Sequence, residues 1–170
     1  GKNEVVAMRE LIGLEKGEKI LHTAHRTTTS GTAFNRLLSI MEDMGLEEGE
    51  DYTKIKAIGR ESIVMLDGGK IDFRTRTSTG GLGESFDLLV IDEAQEYTDD
   101  QESALKYTIA ASPNPQTVLI GTPPTPISSG TVFTNLRNAT LEGNNEDTGW
   151  AEWSVEEESD VRDVDLWYQT

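Results

Sequence analysis

Leu88-Leu89-Val90-Ile91 is an unbroken apolar run that ends on two adjacent carboxylates, Asp92 and Glu93. A strand with one wet face alternates apolar and polar residues, so a run without alternation belongs to a strand covered on both faces. Thr117-Val118-Leu119-Ile120-Gly121 is a second strand of this kind. Between them, Asp99 and Asp100 can open a helix across 101–111, which Pro113 and Pro115 end. Doubly covered strands alternating with helices predict an α/β fold, a mostly parallel sheet flanked by helices. Ligands of such sheets sit beyond the carboxyl ends of the strands. Asp92, Glu93, Gly121 and Thr122 are therefore expected on one rim.

The rest of the chain fits around that sheet. Val5, Met8, Leu11 and Ile12 recur at helical spacing across 4–14, and Gly13 helps to end the helix. KILHTA, 19–24, reads as a short strand. Ser30 is the expected cap of a helix over roughly 31–45, where Phe34, Leu37, Leu38, Met41 and Met44 line one face. ESIVMLDGGKIDFRTR predicts a β-hairpin turning at Asp67-Gly68-Gly69, ahead of the strand at 88–91. TSTGGLGES, 77–85, is a Gly- and Ser-rich loop. A helix near 130–139 and a final strand, GWAEWSV at 149–155, complete the pattern, followed by an acidic segment. No internal repeat is visible.

Charge narrows the partners. Residues 1–82 hold 12 Lys and Arg against 13 Asp and Glu, whereas residues 83–170 hold 3 against 18. So acidic a half repels phosphate backbones, and any nucleic-acid contact has to come from a basic patch in the first half or from other domains or subunits. There are no cysteines, which excludes disulfides and thiolate metal sites; the cytoplasm is the default compartment. The longest apolar run is far too short to span a bilayer.

Several groupings have chemical potential. Gly1-Lys2-Asn3 runs directly into the helix at 4–14. A phosphate-binding loop needs glycine for close backbone approach, a helix N-terminus for the anion, and a lysine for the terminal phosphates. Asp92 at the end of a buried strand suits a magnesium carboxylate, and Glu93 beside it suits a general base. The same pair is also what a strand surfacing into solvent looks like. Gly121-Thr122-Pro123 closes the neighbouring strand, where nucleotide-driven motors carry a polar sensor of the γ-phosphate; a plain Pro-rich turn reads the same way. Arg74 and Arg76, two apart on a strand, either meet a phosphate or pair with surface acids. His22 and His25 lack a third ligand and do not make a metal site. Trp150, Trp153 and Trp167 are expected to fill core.

Taken in order, these pieces resemble the large subunit of tailed-phage terminases, the ATP-driven DNA-packaging motors. GKNEVVAMRELIGL looks like the end of that family's Walker A loop and its helix, and HTAHRTTTSGTAFNRL like the segment after the next strand. GGKIDFRTRTSTGG and FDLLVIDEAQE match the hairpin, Gly-rich loop and Walker B order, VLIGTPP the coupling motif, and GWAEWSV the late strand before the linker. LLVIDEAQE with VLIGTPP also occurs in helicase-like ATPases.

The resemblance implies a P-loop NTPase of the RecA-like class, with ATP and Mg2+ as cofactors. Lys2 would bind the β- and γ-phosphates beside Gly1 and Asn3. Asp92 would hold magnesium through water, Glu93 would be the catalytic base, and Gly121, Thr122 and Pro123 would couple hydrolysis to movement. Arg74 or Arg76 would be the arginine finger. Residues 1–155 would form the ATPase domain, beginning inside the Walker A loop, and 156–170 an acidic linker toward a nuclease domain. Implied partners are double-stranded DNA, the terminase small subunit, the portal protein and further copies in a ring. The setting is the host bacterial cytoplasm, with transient docking at the procapsid portal. Among the departures from the family pattern, Asn3 replaces the usual Ser or Thr, and Leu82-Gly83 occupies the place of an arginine. A prophage-remnant fragment that folds without ATPase activity and a helicase-like ATPase are the alternative readings.

Overall fold

The computed structural model describes residues 1–76, 83–154, 160, 162, 164 and 165. It contains two compact units, 1–134 and 135–170. The first holds a six-stranded sheet of order β2-β3-β4-β1-β5-β6. Its strands are β1 (Lys19–Ala24), β2 (Tyr52–Ile55), β3 (Glu61–Met65), β4 (Lys70–Thr75), β5 (Leu88–Ile91) and β6 (Gln116–Leu119). β4, β1, β5 and β6 run parallel, and β2-β3-β4 form an antiparallel meander on one flank. The mostly parallel α/β sheet and the hairpin before β5 are as the sequence predicts. All four residues of β5 are buried, which is why the run lacks alternation. β6 is not the second doubly covered strand that its sequence predicts: it lies at the edge of the sheet, where Gln116 and Thr117 are exposed and Val118 and Leu119 half-buried.

The helices differ from expectation in instructive ways. α1 (Lys2–Glu15) buries Val6, Ala7, Glu10, Gly13 and Leu14, while Val5 and Met8 are 71% and 51% exposed. The inward face is thus rotated from the stripe that the apolar residues mark, because a carboxylate, Glu10, finds a partner inside. α2 (Thr27–Asp43) starts earlier than predicted: Arg26 is its N-cap, and Ser30 is buried in the first turns with its hydroxyl donating to Thr27 O. The face of Phe34, Leu37, Leu38 and Met41 packs on the sheet as predicted, whereas Met44 is exposed. α3 (Asp99–Leu105) is shorter than predicted and is capped by Thr98, whose hydroxyl accepts from Gln101 N while Gln101 Oε1 accepts from Thr98 N.

α4 (Val132–Leu141) begins in the first unit and ends in the second. In the second unit Arg137 grips Glu152 with two hydrogen bonds, and Trp150 Nε1 donates to the same carboxylate. Residues 149–154 make no strand, against the sequence reading of GWAEWSV, and Val155 lies outside the described residues. Trp153 is 82% exposed and fills no core; Trp167 and the loop at 77–82 also lie outside the described residues.

Candidate nucleotide site

The carboxyl ends of β1, β5 and β6 lie level, with Thr23 opposite Ile91 and Ile91 opposite Leu119. The chain leaves β5 by a sharp turn. Asp92 N still donates to Thr23 O, and Ala94 N donates to Ile120 O. Between them Glu93 adopts the left-handed conformation, φ 53° and ψ 48°, the one non-glycine residue of positive φ among those described. Holding a glutamate there costs on the order of 1–2 kcal/mol, so the neighbours must fix the turn.

Arg76 supplies much of that restraint. Just past β4 and 6% exposed, it donates from Nη1 to Thr23 O and Asp92 O and from Nη2 to Glu93 O. Its guanidinium also lies 5.5 Å from the centre of the Tyr97 ring. Burial lowers its pKa to about 10, with Glu93, Tyr97 and Asp92 opposing the fall, so it keeps its charge at neutral pH. Arg74 goes elsewhere, to Asp72 Oδ2 and Glu84 Oε1.

The two acids have separate environments. Asp92 is 5% exposed and accepts from Glu93 N at 2.7 Å. Burial alone would raise its pKa, but His22 and the Glu93 N–H outweigh burial and hold it below the ordinary value. Glu93 is half-buried, and its Oε2 accepts from Arg26 N at 3.0 Å.

α1 brings its N-terminus to the same rim. Lys2 Nζ donates to Gly121 O at 3.1 Å. Thr122 N donates to Gln95 Oε1, while Thr122 and Pro123 are exposed. Gly121 has a steric reason to be glycine: a Cβ there would stand 2.9 Å from Gln95 Oε1, 3.0 Å from Phe133 and 3.3 Å from Ala94 N. Asn3 faces a cleft of about 200 Å³ that Thr28, Thr29, Thr32, Arg36 and Asp92 also line. The structure thus groups Lys2, Asn3, Asp92, Glu93 and Gly121, with Thr122 beside them. Arg76 lies beneath the acid pair, and Arg74 is engaged separately.

One feature of the site escaped the sequence. His22, 2% exposed at the centre of β1, sets Nδ1 2.6 Å from Glu10 Oε1 and Nε2 3.8 Å from Asp92 Oδ2. Burial pulls its pKa down, but Glu10 and Asp92 more than compensate and raise it to about 9. The only sequence signal is a histidine following Ile20 and Leu21 in a short strand, which reads equally well as core.

The donors suit a magnesium nucleotide better than a metal held by protein alone. No group of three His, Asp or Glu side chains among the described residues could hold a metal ion. Magnesium commonly takes one or two carboxylates and fills its other positions with phosphate oxygens and water. Asp92, the buried but unpartnered Oδ1 of Asn3, and the hydroxyl-lined cleft provide that kind of setting.

The sequence matches no family model and no curated protein. Its fold does match. The crystal structure of the HK97 bacteriophage large terminase aligns with a TM-score of 0.78 at 14% identity, over 99% of this chain and 36% of that one. The fold is that of part of a phage large terminase. The ATPase domain of the Thermus phage P74-26 large terminase aligns over 74% of this chain and 56% of that one, at 16% identity and a TM-score of 0.49. A large terminase from a thermophilic bacteriophage, solved in complex with ADP, aligns over 60% of this chain and 25% of that one, at 9% identity and a TM-score of 0.45. The chain therefore spans about a third of the length of the HK97 terminase whose fold it shares. None of its described helices is long and apolar enough to cross a membrane.

Proposed function

We propose that this chain is the ATP-hydrolysing part of a phage terminase large subunit, a motor that drives double-stranded DNA into a procapsid. The observation that carries the reading is the meeting, on a terminase fold, of the α1 N-terminus, the Asp92-Glu93 turn and Gly121 at one rim of the sheet. ATP bound there with Mg2+ supplies the phosphoryl group that passes to water. Lys2, whose ammonium donates to Gly121 O in this structure, is the residue to bind the β- and γ-phosphates, beside Gly1 and Asn3. Asp92 stands on the magnesium side, and its low pKa keeps it a carboxylate. Glu93 takes the proton of the attacking water, and its left-handed backbone, braced by Arg76, aims it. Thr122, between Gly121 and Pro123, senses the phosphate end and couples it to movement.

The remaining parts of the reading follow from the same family. Residues 1–155 are the ATPase domain and 156–170 a linker. The partners are the small subunit, the portal protein, DNA and further copies in a ring, in the host cytoplasm and at the procapsid portal. Of the two arginines, Arg74 is the better candidate to act on a neighbour's nucleotide, because Arg76 is buried and bound to three carbonyls of its own chain.

Calorimetric titration of Mg-ATP into this chain, beside Lys2→Ala and Glu93→Gln, tests the proposal. The expected result is binding lost in the lysine variant and kept in the glutamate variant, with slow hydrolysis only in the parent. Binding by none of the three would refute nucleotide hydrolysis by this chain and favour a folded fragment without activity.

A further inference from the structure

The pair Glu10–His22 has no part in the chemistry just described, yet it is among the least expected features of the core. Both side chains are at most 3% exposed, and the imidazole stacks near Phe73 with ring centres 5.2 Å apart. Filling this volume needs no polar atom. Apolar residues of similar size in place of a buried ion pair are often neutral or stabilising, so packing alone does not explain the pair.

The geometry supplies a direction. Glu10 holds the Nδ1 side, which aims Nε2 at Asp92 across 3.8 Å, too far for a direct hydrogen bond. His22 Nε2 and Asn3 Oδ1 are both buried and unpartnered. Both residues, with Glu10 and Asp92, line a cavity of about 10 Å³. That is about the space of one water, and the polar partners are of the number a buried water needs. A water placed there would accept from Nε2–H and donate to Asn3 Oδ1 and to Asp92 Oδ2.

We propose that His22 is a positioning residue: braced by Glu10 and acting through one buried water, it fixes the Asp92 carboxylate and ties it to Asn3 at the start of α1. The phosphate end and the magnesium end of the site then move as one body. This role rests on the nucleotide reading given above. His22 touches neither nucleotide nor metal; it sets the orientation of the group that does, as outer-shell partners of metal ligands commonly do.

The test is calorimetric titration of ADP, with and without Mg2+, into the full chain, the double variant Glu10→Leu/His22→Leu, and His22→Gln. Loss of an outer-shell partner commonly weakens metal affinity about 10- to 100-fold. The magnesium-dependent part of ADP affinity is expected to fall by that factor in the double variant, while magnesium-free affinity and the urea midpoint hold. His22→Gln, which keeps a donor on the Asp92 side, should recover part of the loss. Parent-like Mg-ADP binding in the double variant, or equal loss with and without magnesium, would overturn the proposal. Should the double variant fail to fold, the same comparison on His22→Gln decides. If the parent itself binds no ADP, the nucleotide reading falls, and nitrogen-15 NMR judges the link on its own. Asp92→Asn and Asn3→Ala should each shift the His22 Nε2 resonance; an unmoved resonance in both overturns the positioning role.

Discussion

Replacing Arg76 by alanine tests whether the acid turn is held from below by its own chain. The guanidinium makes three hydrogen bonds to carbonyl oxygens, and charge-assisted bonds counted at face value would suggest a loss of about 5–9 kcal/mol. The structure argues for less. Thr23 O keeps a second donor, Asp92 N, and Glu93 O keeps Glu96 N. Asp92 O has no second backbone donor among the described residues, so one buried carbonyl is orphaned, at about 1–3 kcal/mol. Loss of the contact with the Tyr97 ring adds about 1 kcal/mol. The expected destabilisation is therefore about 2–4 kcal/mol, read from urea melts of parent and variant by linear extrapolation. Arg76→Lys should recover a fraction, since one ammonium cannot span three carbonyls. A change below about 0.5 kcal/mol, the scatter expected of an ordinary surface substitution, would refute the strut. So would a variant of parental stability that binds Mg-ATP, fails to hydrolyse it, and regains turnover when mixed with Glu93→Gln. That pattern belongs to an arginine acting on a neighbour's nucleotide.

Two further perturbations probe the scaffold. Gly31 lies inside α2, and a Cβ there would meet only Glu61 Oε1 at 3.7 Å, so Gly31→Ala should stabilise the chain by about 0.8–1 kcal/mol of helix propensity in a urea melt. Asp87 accepts from Lys19 N and from the Ser112 hydroxyl, which together hold its pKa below the ordinary value. Its stabilisation is therefore present above about pH 4 and is lost as the pH falls through the lower folded pKa. Urea midpoints followed from pH 5 down to 2 should fall less steeply in Asp87→Asn than in the parent; parallel curves would contradict the assignment.

Much of this architecture is written locally. Leu88–Ile91 is a doubly covered strand because nothing in the run tolerates water on either side. The hairpin at 61–75 follows from alternation around Asp67-Gly68-Gly69, and the rim position of Asp92, Glu93 and Gly121 follows once those strands are parallel neighbours. Where the reading failed, the deciding partner was distant in sequence or missing. α1 shows water its Val5 and Met8 because Glu10 is drawn inward by His22, a residue of the next strand. α2 begins at Thr27 without a side-chain cap, so Ser30 carried a signal that the fold does not use. GWAEWSV alternates like a strand, yet residues 149–154 pair with none, and alternation alone provides no partner for a backbone.

The sequence by itself determined the α/β class, the buried strand at 88–91 and the place where an acid pair meets the rim of a sheet. These rest on periodicity and on residues adjacent in the chain. Only the tertiary structure decided what surrounds the pair: the guanidinium of Arg76 beneath it, the left-handed turn at Glu93, and the line from Glu10 through His22 to Asp92. A buried charge is stable only beside its partner. Here the partners come from α1, β1 and the end of β4, and folding alone brings them together.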